Sequence, residues 1–483
     1  LDDLRDPFLM KDMAKAVDRL KSVMSRGEHV MILGDYDVDG VCGTALFYRV
    51  MTDLGVKVSY HVPDRFKEGY GVSKEAIDRA IDLGVKLVIS VDSGITAFEE
   101  AEYVRSKGID FIITDHHEPQ ANMLPDAMAV LDPKLPDSSY PFRDLAGVGV
   151  MFKLLQALFI DTEMDPTDLY DELDLVALGT AADVVPLIDE SRVLASFGIE
   201  RMMNTANTGL AALIEISGAM KGRSNSNNII YSLAPRLNAP GRLSSASKTV
   251  ELLICENWLR ALEIADDIEK ENAVRREMND RVYTEAEAMI HQLGPDAWMK
   301  GIVLASGDWH QGVIGIAASR IVEKYYLPTV LISLEGDLGK GSARSIKEFD
   351  ICGAMSECEN ILDTYGGHKY AAGLSIRADK IEDFKARFGE IIIRDLPEGI
   401  PAPSVTIDSE IDFSCLNTNL VAFLNKLAPF GENNPVPLFL TRNVRTVHDS
   451  RVVGKNHLKF RLTDGSSTFD AIGFNMGDFK SRV

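Results

Sequence analysis

Acidic and imidazole side chains are grouped directly after several apolar runs in the first 190 residues of this sequence. The groups lie in the segments Gly34-Asp35-Tyr36-Asp37-Val38-Asp39-Gly40, Val91-Asp92-Ser93-Gly94, Thr114-Asp115-His116-His117 and Gly179-Thr180-Ala181-Ala182-Asp183. Carboxylates gathered in one site raise each other's pKa values, and shared cations remove that conflict. Carboxylate and imidazole ligands without a thiolate favour Mn²⁺ or Mg²⁺ over zinc, and the histidines favour Mn²⁺. A single aspartate before a helix is more often an N-cap, but that explanation fits the whole set poorly.

The elements predicted around these groups alternate between strand and helix, which is typical of an α/β domain with a doubly wound parallel sheet. The predicted strands are Val30–Leu33, Lys57–Val62, Leu87–Val91, Phe111–Thr114 and Ala129–Leu131, and the predicted helices are Val41–Leu54, Lys74–Leu83 and Phe98–Lys107. Such sheets bind ligands beyond the carboxyl ends of their strands. We therefore expect Asp37, Asp92 and His116 to meet at one edge of the sheet, and Asp183 to join them from the end of an apolar helix.

The rest of the chain predicts further domains, because 483 residues exceed what a single core holds. The first α/β domain is expected over residues 1–250, and a long charged helical pattern follows over 251–293. That helix either bridges two domains or packs on one of them. A second α/β domain is expected over 294–398, with strands Ile302–Ala305 and Thr329–Ile332 and helix Val313–Val322.

The last part of the chain, residues 399–483, changes to a strand pattern. The predicted strands are Val405–Ile411, Arg442–Val447, His457–Leu462 and Thr468–Phe474. A Thr463-Asp464-Gly465-Ser466 turn joins the last two, as in a hairpin. These strands predict a small β-domain that resembles an OB-fold barrel, a fold that binds single strands through a basic groove. Its aromatic residues Phe439, Phe460, Phe469 and Phe474 are expected in the core rather than as stacking platforms.

The net charge of −22 speaks against a nucleic-acid partner on average, but positive charge is locally concentrated. Residues 216–250 contain no acidic residue, and residues 440–461 contain only Asp449. The basic residues are Lys221, Arg223, Arg236, Arg242 and Lys248 in the first island, and Arg442, Arg445, Arg451, Lys455, Lys459 and Arg461 in the second. These islands either contact phosphates or are solvated surface.

The five cysteines are scattered and form no C-x-x-C pair, which speaks against a disulfide framework or a thiolate zinc site. We therefore expect reduced cysteines in a cytoplasmic protein. Neither a membrane span nor a signal peptide is expected, because no apolar run approaches the about 18 residues that a membrane helix needs.

The four acidic segments, continued by Val184-Val185-Pro186, resemble the motifs of the DHH phosphoesterase superfamily. His310-Gln311-Gly312-Val313-Ile314-Gly315 and Gly366-Gly367-His368-Lys369-Tyr370-Ala371-Ala372-Gly373 resemble its accompanying DHHA1 domain. Pro235–Arg242 (PRLNAPGR) and Pro429–Pro435 (PFGENNP) are similar to the RecJ branch of the superfamily. The resemblance covers essentially the whole chain and implies a metal-dependent exonuclease. Such an enzyme hydrolyses single-stranded DNA in the 5′-to-3′ direction during DNA repair and recombination.

The resemblance also implies two metal ions, Mn²⁺ or alternatively Mg²⁺, that activate a water molecule for attack on phosphorus. Asp37 and Asp92 would hold the first ion. Asp39, Asp92, His116 and Asp183 would hold the second, so that Asp92 bridges the two.

Four neighbouring positions complete the expected site. His117 would face the scissile phosphate, and Asp115 would orient a histidine from outside the ligand set. Asp35 would belong either to the ligands or to their surroundings. Leu33 departs from related pyrophosphatases, which carry a metal-binding histidine at that position, so the first ion is expected to be held more loosely.

Substrate contacts are expected from Gly339–Ser345, whose glycines, hydroxyls and guanidinium can hold a phosphate, although a simple hairpin turn is the alternative. By the resemblance, the candidates for the DNA backbone or its 5′ phosphate are Arg236, Asn238, Arg242, His310, Ser342, Arg344, Gly366, Gly367 and His368. His310 is as well explained by a structural role.

Two other functions stay open at this point. One is a relative in the same superfamily that cleaves short oligoribonucleotides, cyclic dinucleotides or pyrophosphate, which the length of this chain opposes. The other is an inactive scaffold on the same fold, which the intact motifs oppose. The expected partner is single-stranded DNA, with a single-strand-binding protein or a helicase as candidate protein partners, and the chain is expected to be a monomer.

Overall fold

The computed structural model describes residues 1–120, 123–219, 225–294, 300–447 and 450–482. The chain divides into two compact units. The main unit comprises Leu1–Val185 and Asp189–Pro403, and the C-terminal unit comprises Pro186–Ile188 and Ser404–Val483. Lys221 and Arg223 of the first basic island, and Asp449 in the second, lie outside the described residues. Among the residues described, no helix combines the length and apolarity needed to cross a membrane.

The main unit begins with a five-stranded parallel sheet of apolar strands. The strands are β1 (Val30–Gly34), β2 (Val58–His61), β3 (Leu87–Val91), β4 (Asp110–Thr114) and β5 (Ala129–Leu131). Their order is β2-β1-β3-β4-β5, so the winding direction reverses between β1 and β3. The carboxyl ends of those two strands border the crevice in which sheets of this type bind ligands. The predicted doubly wound α/β fold is confirmed.

Helices cover both faces of this sheet. The helices of this part of the chain, including those that pack on other helices, are α1 (Met13–Arg26), α2 (Val38–Asp53), α3 (Lys74–Asp82), α4 (Phe98–Ser106), α5 (Gly147–Asp161), α6 (Pro166–Tyr170), α7 (Leu173–Ala182), α8 (Asp189–Met202) and α9 (Thr208–Ser217). Alternate residues of β1 enter two cores: Val30 and Ile32 belong to the larger one, and Met31 and Leu33 to the one formed with α3 and α4. This burial on both faces explains why each strand is a continuous apolar run.

The predicted helix over residues 251–293 is two helices. These are the end of α12 (Ser247–Leu253) and α13 (Trp258–Leu293), and they follow α10 (Ser226–Asn228), a π-helical turn (Ile229–Leu233) and α11 (Ala234–Leu243). The break precedes α13, where the side chain of Asn257 accepts the Arg260 amide and caps the new helix. The first half of α13 packs in the larger core through Ile264 and Ile268, and the second half packs around Trp309. Helix α13 therefore contributes side chains to two different cores of the main unit.

The second α/β part of the main unit is built on a mixed sheet. Its elements are β6 (Ile302–Ser306), α14 (Ile314–Tyr325), β7 (Thr329–Glu335), β8 (Leu338–Arg344), α15 (Ile351–Ser356), β9 (Thr364–His368), β10 (Ala371–Arg377) and α16 (Ile381–Asp395). The strand order is β6-β7-β8-β10-β9, and only the β6–β7 pair is parallel. The glycine-rich Gly339–Ser345 segment is therefore mostly strand β8, and its interpretation as a simple turn is wrong.

The C-terminal unit contains β11 (Ser409–Glu410), α17 (Thr418–Asn425), β12 (Phe439–Leu440), β13 (Arg445–Thr446), β14 (Arg451–Val453), β15 (His457–Thr463) and β16 (Thr468–Gly473). The predicted β15–β16 hairpin is confirmed, and Asp464 closes its turn by accepting from Ser466 and Ser467. The predicted strands at Val405–Ile411 and Arg442–Val447 shrink to two residues each. Phe469 and Phe474, predicted as core, are 36% and 69% exposed.

Candidate metal centre

The crevice beyond β1, β3 and β4 brings the predicted acidic and imidazole residues together. Three groups of possible metal ligands form there, and within each group the ligand atoms lie within 4.8 Å of one another. The groups are Asp35–Asp37–Asp92, Asp39–His116–Asp183 and Asp92–His116–His117. Because Asp92 and His116 each belong to two groups, the three form one continuous centre.

The two aspartates at the start of α2 are fixed by backbone amides. Oδ1 of Asp37 accepts from the amides of Asp39 and Gly40 at 2.9 and 3.1 Å, so Asp37 is also the N-cap of α2. The carboxylate of Asp39 accepts from the Gly147 and Val148 amides at 2.6 and 2.8 Å, which are the first residues of α5. Asp37 is therefore both the N-cap of a helix and a possible metal ligand.

Asp92 lies at the centre of the cluster in an unusual backbone conformation. Its φ of 60° is in the left-handed region, which non-glycine residues rarely adopt and which is often found at functional sites. Its Oδ1 lies 3.0 Å from Nε2 of His116, and the same nitrogen lies 3.8 Å from Asp39 and 3.6 Å from Asp183. Three carboxylates thus surround one ring nitrogen, which carries at most one proton.

Asp115 holds His117 and the loop around it. Oδ1 of Asp115 accepts from Nδ1 of His117 at 2.7 Å and from the amides of His116 and His117, and Oδ2 accepts from the amide of Ile95 at 2.8 Å. Burial lowers the pKa of His117, but the hydrogen bond to Asp115 and the negative charges of Asp115, Asp183 and Asp37 together outweigh burial and raise the pKa to about 9. Asp115 itself belongs to none of the three ligand groups, which agrees with an orienting role.

The electrostatics of the centre call for cations. Burial and the charge of Asp37 raise the pKa of Asp39 to about 7. Burial, followed by neighbouring carboxylates, also raises the pKa values of Asp35, Asp92 and Asp183 well above the usual range. In addition, Oδ1 of Asp35 is buried without a hydrogen-bond partner among the described residues. The residues therefore fit divalent cations, which carboxylate and imidazole donors without thiolates prefer in this class of site.

Leu33 occupies the position at which related pyrophosphatases carry a metal-binding histidine. The Leu33 side chain is buried in the small core beside Ile77 and Val88 rather than in the centre. The Asp35–Asp37–Asp92 group consists of carboxylates alone. Asp35, for which the sequence left two roles open, therefore lies among the possible ligands.

Two glycines that the sequence did not single out let the helices approach this centre. A Cβ atom added at Gly147 would lie 2.6 Å from Cβ of Asp92, and one added at Gly179 would lie 2.9 Å from Oδ1 of Asp39. The Cβ at Gly179 would also lie 2.7 Å from Cγ1 of Val148, and Asp92 and Asp39 are buried and cannot move away without leaving the cluster. Glycine destabilises a helix, so its presence in one usually has a packing or functional reason. Gly147 and Gly179, each in a helix close to the aspartates, were therefore the sequence signal for this close approach.

Gly147→Ala is expected to weaken Mn²⁺ binding about tenfold or more, since displaced surroundings of metal ligands typically cost about 10- to 100-fold in affinity. Titration calorimetry measures the change. Gly149→Ala is the matched control in the same helix, because its added Cβ would meet only the Leu145 side chain at an ordinary 3.4 Å. Equal Mn²⁺ affinity of both variants would contradict the assigned role of Gly147.

A cavity of about 490 Å³ is lined by both α/β parts of the main unit. Its cationic side chains are Arg65, Arg242, Lys340 and Arg344, and no carboxylate is among its described lining residues. Burial, followed by the neighbouring Arg65, lowers the pKa of Arg242 to about 10 and also lowers the pKa of Arg344. The first residues of α14, Ile314 and Gly315, also line the cavity, so a helix N-terminus adds positive potential.

The predicted substrate residues divide into two sets. Arg242, Ser342, Arg344, Gly366 and Gly367 line this cavity together. The other four do not line it.

The surroundings of these four residues are as follows, and their roles in substrate binding stay predictions. Arg236 pairs with Glu269 of α13. His310 accepts from the Gly312 amide at 3.1 Å and packs edge-on against Phe66, which fits the structural alternative. His368 is exposed at the end of β9, and Asn238 lies on α11.

Residues between β2 and α3 connect the cavity to the metal centre, and sequence reasoning missed them. The guanidinium carbon of Arg65 lies 5.1 Å from the centre of the Tyr36 ring. The Tyr36 and Tyr70 rings pack edge to face, with their centres 6.3 Å apart. The Tyr70 hydroxyl lies 3.3 Å from Nδ1 of His117 and donates to the Asp92 carbonyl at 3.2 Å. The sequence signal was Arg65 and Tyr70 in the glycine-containing loop after β2, because loops that follow the strands of such a sheet often carry functional residues.

Family models match three parts of the chain: the DHH family N-terminal domain over residues 29–180, the DHHA1 domain over 299–394 and the RecJ OB domain over 407–483. Fold and site thus define a protein of the DHH class with a DHHA1 domain. The single-stranded-DNA-specific exonuclease RecJ of Escherichia coli is 35% identical, over 97% of this chain and 84% of its own length. This chain belongs to the RecJ family.

Two further relatives agree. RecJ of Bacillus subtilis is 41% identical over 100% of this chain, and the match spans 60% of that longer protein. The crystal structure of RecJ from Thermus thermophilus in complex with Mn²⁺ superimposes with a TM-score of 0.84 at 31% identity, covering 97% of this chain and 67% of that one.

Proposed function

We propose that this protein is a 5′-to-3′ exonuclease that hydrolyses phosphodiester bonds of single-stranded DNA with two Mn²⁺ ions, Mg²⁺ being the alternative, in DNA repair and recombination. The observation that carries the proposal is the cationic cavity, which lies next to a carboxylate and imidazole centre through Arg65, Tyr36 and Tyr70. The similarity to single-stranded-DNA-specific exonucleases and the match to the RecJ OB domain favour this activity over that of an oligoribonucleotide or cyclic-dinucleotide phosphodiesterase.

The chemistry follows from the donors of the centre. Asp35, Asp37, Asp39, Asp92, His116 and Asp183 would hold divalent ions, and bound ions would lower the pKa of a water molecule and neutralise phosphate oxygens. His117 is held by Asp115 with a raised pKa, so its ring is protonated at neutral pH and presents positive charge to a phosphate oxygen. Asp35, Asp39 and Asp92 are buried, so bulk water has little access to these donors. A serine or cysteine nucleophile is not required.

The cavity explains why digestion would begin at an end. Ser342 and Arg344 of β8 and the glycines of β9 offer hydroxyl, guanidinium and backbone donors to an anion. A terminal phosphate carries more charge than an internal phosphodiester and is small enough for such a site, whereas an internal phosphate would bring a nucleotide on each side. A phosphorylated 5′ end held there would present the adjoining phosphodiester to the metal centre.

Arg344→Gln is expected to raise KM for 5′-phosphorylated single-stranded DNA about tenfold or more, since a hydrogen bond to a charged group is worth about 1.5–3 kcal/mol. With 5′-hydroxyl DNA the same substitution should change KM little. Arg377→Gln is the matched control, because Arg377 lies on β10 of the same sheet but outside the cavity. Equal effects of Arg344→Gln on both substrates would remove the end-recognition role.

The whole proposal is tested by incubating the protein with end-labelled single-stranded and blunt duplex DNA, with Mn²⁺ and with excess EDTA. We expect stepwise shortening of the single strand from its 5′ end, little degradation of the duplex, and loss of activity in EDTA. Release from the 3′ end, or full activity in the chelator, would overturn it.

Location, assembly and domain limits belong to the same proposal. All five cysteines are free, which suits a reducing compartment such as the cytoplasm. A monomer that works with a single-strand-binding protein or a helicase is the assembly we expect. The limits 1–250, 251–293, 294–398 and 399–483 stay predictions, as does DNA binding by the last of these parts.

A further inference from the structure

One face of the second sheet lines the cationic cavity and continues past the residues assigned to the terminal phosphate. Ser342 and Arg344 of β8 lie on this face, and so does Lys340, because alternate residues of a strand share a face. Lys340 comes two positions before Ser342, which places their Cα atoms about 7 Å apart. The cavity therefore extends beyond the expected phosphate site to a further cation.

Lys340 is joined to two hydroxyl groups across the neighbouring strands. Its Nζ donates to Oγ of Ser375 on β10 at 2.8 Å, and Oγ1 of Thr364 on β9 donates to the same oxygen at 2.9 Å. The three residues lie side by side, since Lys340 pairs with Ser375 and Ser375 pairs with Thr364. Because the Ser375 oxygen accepts from both neighbours, its own hydroxyl hydrogen can be donated to a ligand. An ammonium group beside hydroxyl donors suits an anion.

Glycines keep the space beside this group open. Gly373 of β10 pairs with Gly366 of β9 and with Ser342 of β8, so these three positions form the row next to Lys340. A Cβ atom added at Gly366 or Gly373 would meet nothing within 4 Å apart from its own chain neighbours. The cavity measures about 490 Å³, within the about 300–1,000 Å³ of sites for whole small molecules, which is more than one phosphate group fills.

The Lys340 end of the cavity lies away from the metal centre. Arg344 is near Arg65, whose charge adds to burial in lowering the pKa of Arg344. Arg65 belongs to the loop whose Tyr70 hydroxyl lies 3.3 Å from Nδ1 of His117. The Arg344 end of β8 therefore faces the centre, and Lys340 lies four residues away at the other end. A strand with its terminal phosphate beside Arg344 and its next linkage at the metals would direct any group beyond that phosphate toward Lys340.

The positive charge of the cavity exceeds what one phosphate balances. Its lining includes the four cations Arg65, Arg242, Lys340 and Arg344, and no carboxylate is among the described residues that line it. A phosphate monoester carries about 1.5 to 2 negative charges at neutral pH. A ligand with additional phosphates would balance the remaining charge along the length of the cavity.

We propose that this protein also digests strands with a 5′-triphosphate end, and that Lys340, Ser375 and Thr364 form the subsite for the phosphates beyond the first. The inference rests on the proposed exonuclease function and extends its substrates to ends made when a polymerase starts a strand from a nucleoside triphosphate. Water adds to the phosphorus of the first internucleotide linkage, the bond from that phosphorus to the 3′ oxygen breaks, and the 3′ oxygen takes the proton. The products are a nucleoside triphosphate and a shortened strand with a 5′ phosphate.

Binding is tested with single-stranded DNA oligonucleotides that carry a 5′ triphosphate or a 5′ monophosphate, titrated against the full chain by fluorescence anisotropy in EDTA. We expect the triphosphate to bind about tenfold more tightly, as hydrogen bonds to charged groups allow. Lys340→Gln should remove most of this preference, and Lys340→Arg should keep it. Lys380→Gln is the matched control, because Lys380 follows β10 outside the described lining of the cavity. Equal affinity of the wild-type protein for both oligonucleotides would overturn the inference.

Hydrolysis is tested in Mn²⁺ with a triphosphorylated oligonucleotide labelled at its α-phosphate, and the first product is identified by thin-layer chromatography. We expect labelled nucleoside triphosphate, and Lys340→Gln should raise KM for this strand at least about threefold more than KM for the monophosphorylated strand. An intact triphosphorylated strand where the monophosphorylated one is digested overturns the inference. If neither strand is digested, the proposed function fails, whereas a Lys340-dependent preference in EDTA would still support the subsite.

Discussion

Asp92→Asn is expected to reduce hydrolysis of single-stranded DNA more than about 100-fold, because even residues that only support metal ligands cost about 10- to 100-fold when changed. Asp92 belongs to two of the three ligand groups, so its loss disturbs the whole centre. Asp35→Asn is the matched comparison, since Asp35 is equally buried but belongs to one group. Single-turnover rates at saturating DNA measure both losses, and equal, mild losses would contradict the assignment of Asp92 as the shared ligand.

The same substitution should have the opposite effect on stability without metal. Burial and neighbouring carboxylates raise the pKa of Asp92, so its negative charge opposes folding at neutral pH when no cation is bound. Asp92→Asn should therefore raise the Tm in EDTA and reduce the Tm increase that Mn²⁺ produces in the wild type. A lower Tm in EDTA would mean that Asp92 stabilises the fold rather than a bound ion.

His117→Ala is expected to slow the chemical step about 10²-fold or more while leaving DNA affinity nearly unchanged, the range for a group that acts in proton transfer or charge stabilisation. Its ring lies beside Asp92 and is one-third exposed, so it can reach a substrate. Binding in Ca²⁺ and single-turnover rates in Mn²⁺ measure the two effects separately. A loss of DNA affinity equal to the loss of rate would show that His117 binds rather than acts on the phosphate.

Asp115 tests whether His117 depends on its partner. Asp115→Asn keeps one oxygen acceptor, which can still accept from the His116 amide, but it loses the oxygen that accepts from Ile95 and the negative charge that holds the His117 ring. We expect a loss of about tenfold, as for a group that orients a catalytic side chain. Because Asp115 acts through His117, the double variant with His117→Ala should be no slower than His117→Ala alone. Additive losses would mean that Asp115 has a separate role.

The first sheet and the metal-site residues could be predicted from the sequence. Strands buried on both faces need continuous apolar runs, and β3 and β5 have the predicted limits because little else satisfies that requirement. Parallel strands expose their carboxyl ends at one edge, so Asp37, Asp92 and His116 had to converge. Helix α13 was less well predicted, since its start depends on a local cap at Asn257 rather than on periodicity.

The C-terminal unit shows where local pattern fails. β15 and β16 form as predicted because a turn with Asp464 joins two runs that pair with each other. Val405–Ile411 has the same apolar texture but only two of its residues pair, with Phe439 and Leu440 far along the chain. β-propensity describes a half-buried surface and needs a partner strand, which sequence alone does not supply.

The sequence by itself determined which residue types carry the chemistry and on which edge of the sheet they lie, since strand periodicity and chain direction are local properties. Only the tertiary structure decided the rest: the left-handed backbone of Asp92, the glycines at 147 and 179, and the pairing of Arg236 with Glu269. It also brought Arg65 and Arg344 into one cavity. Each of these depends on close packing between elements distant in sequence, where a single added atom or opposing charge changes the outcome, and no local pattern encodes that distance.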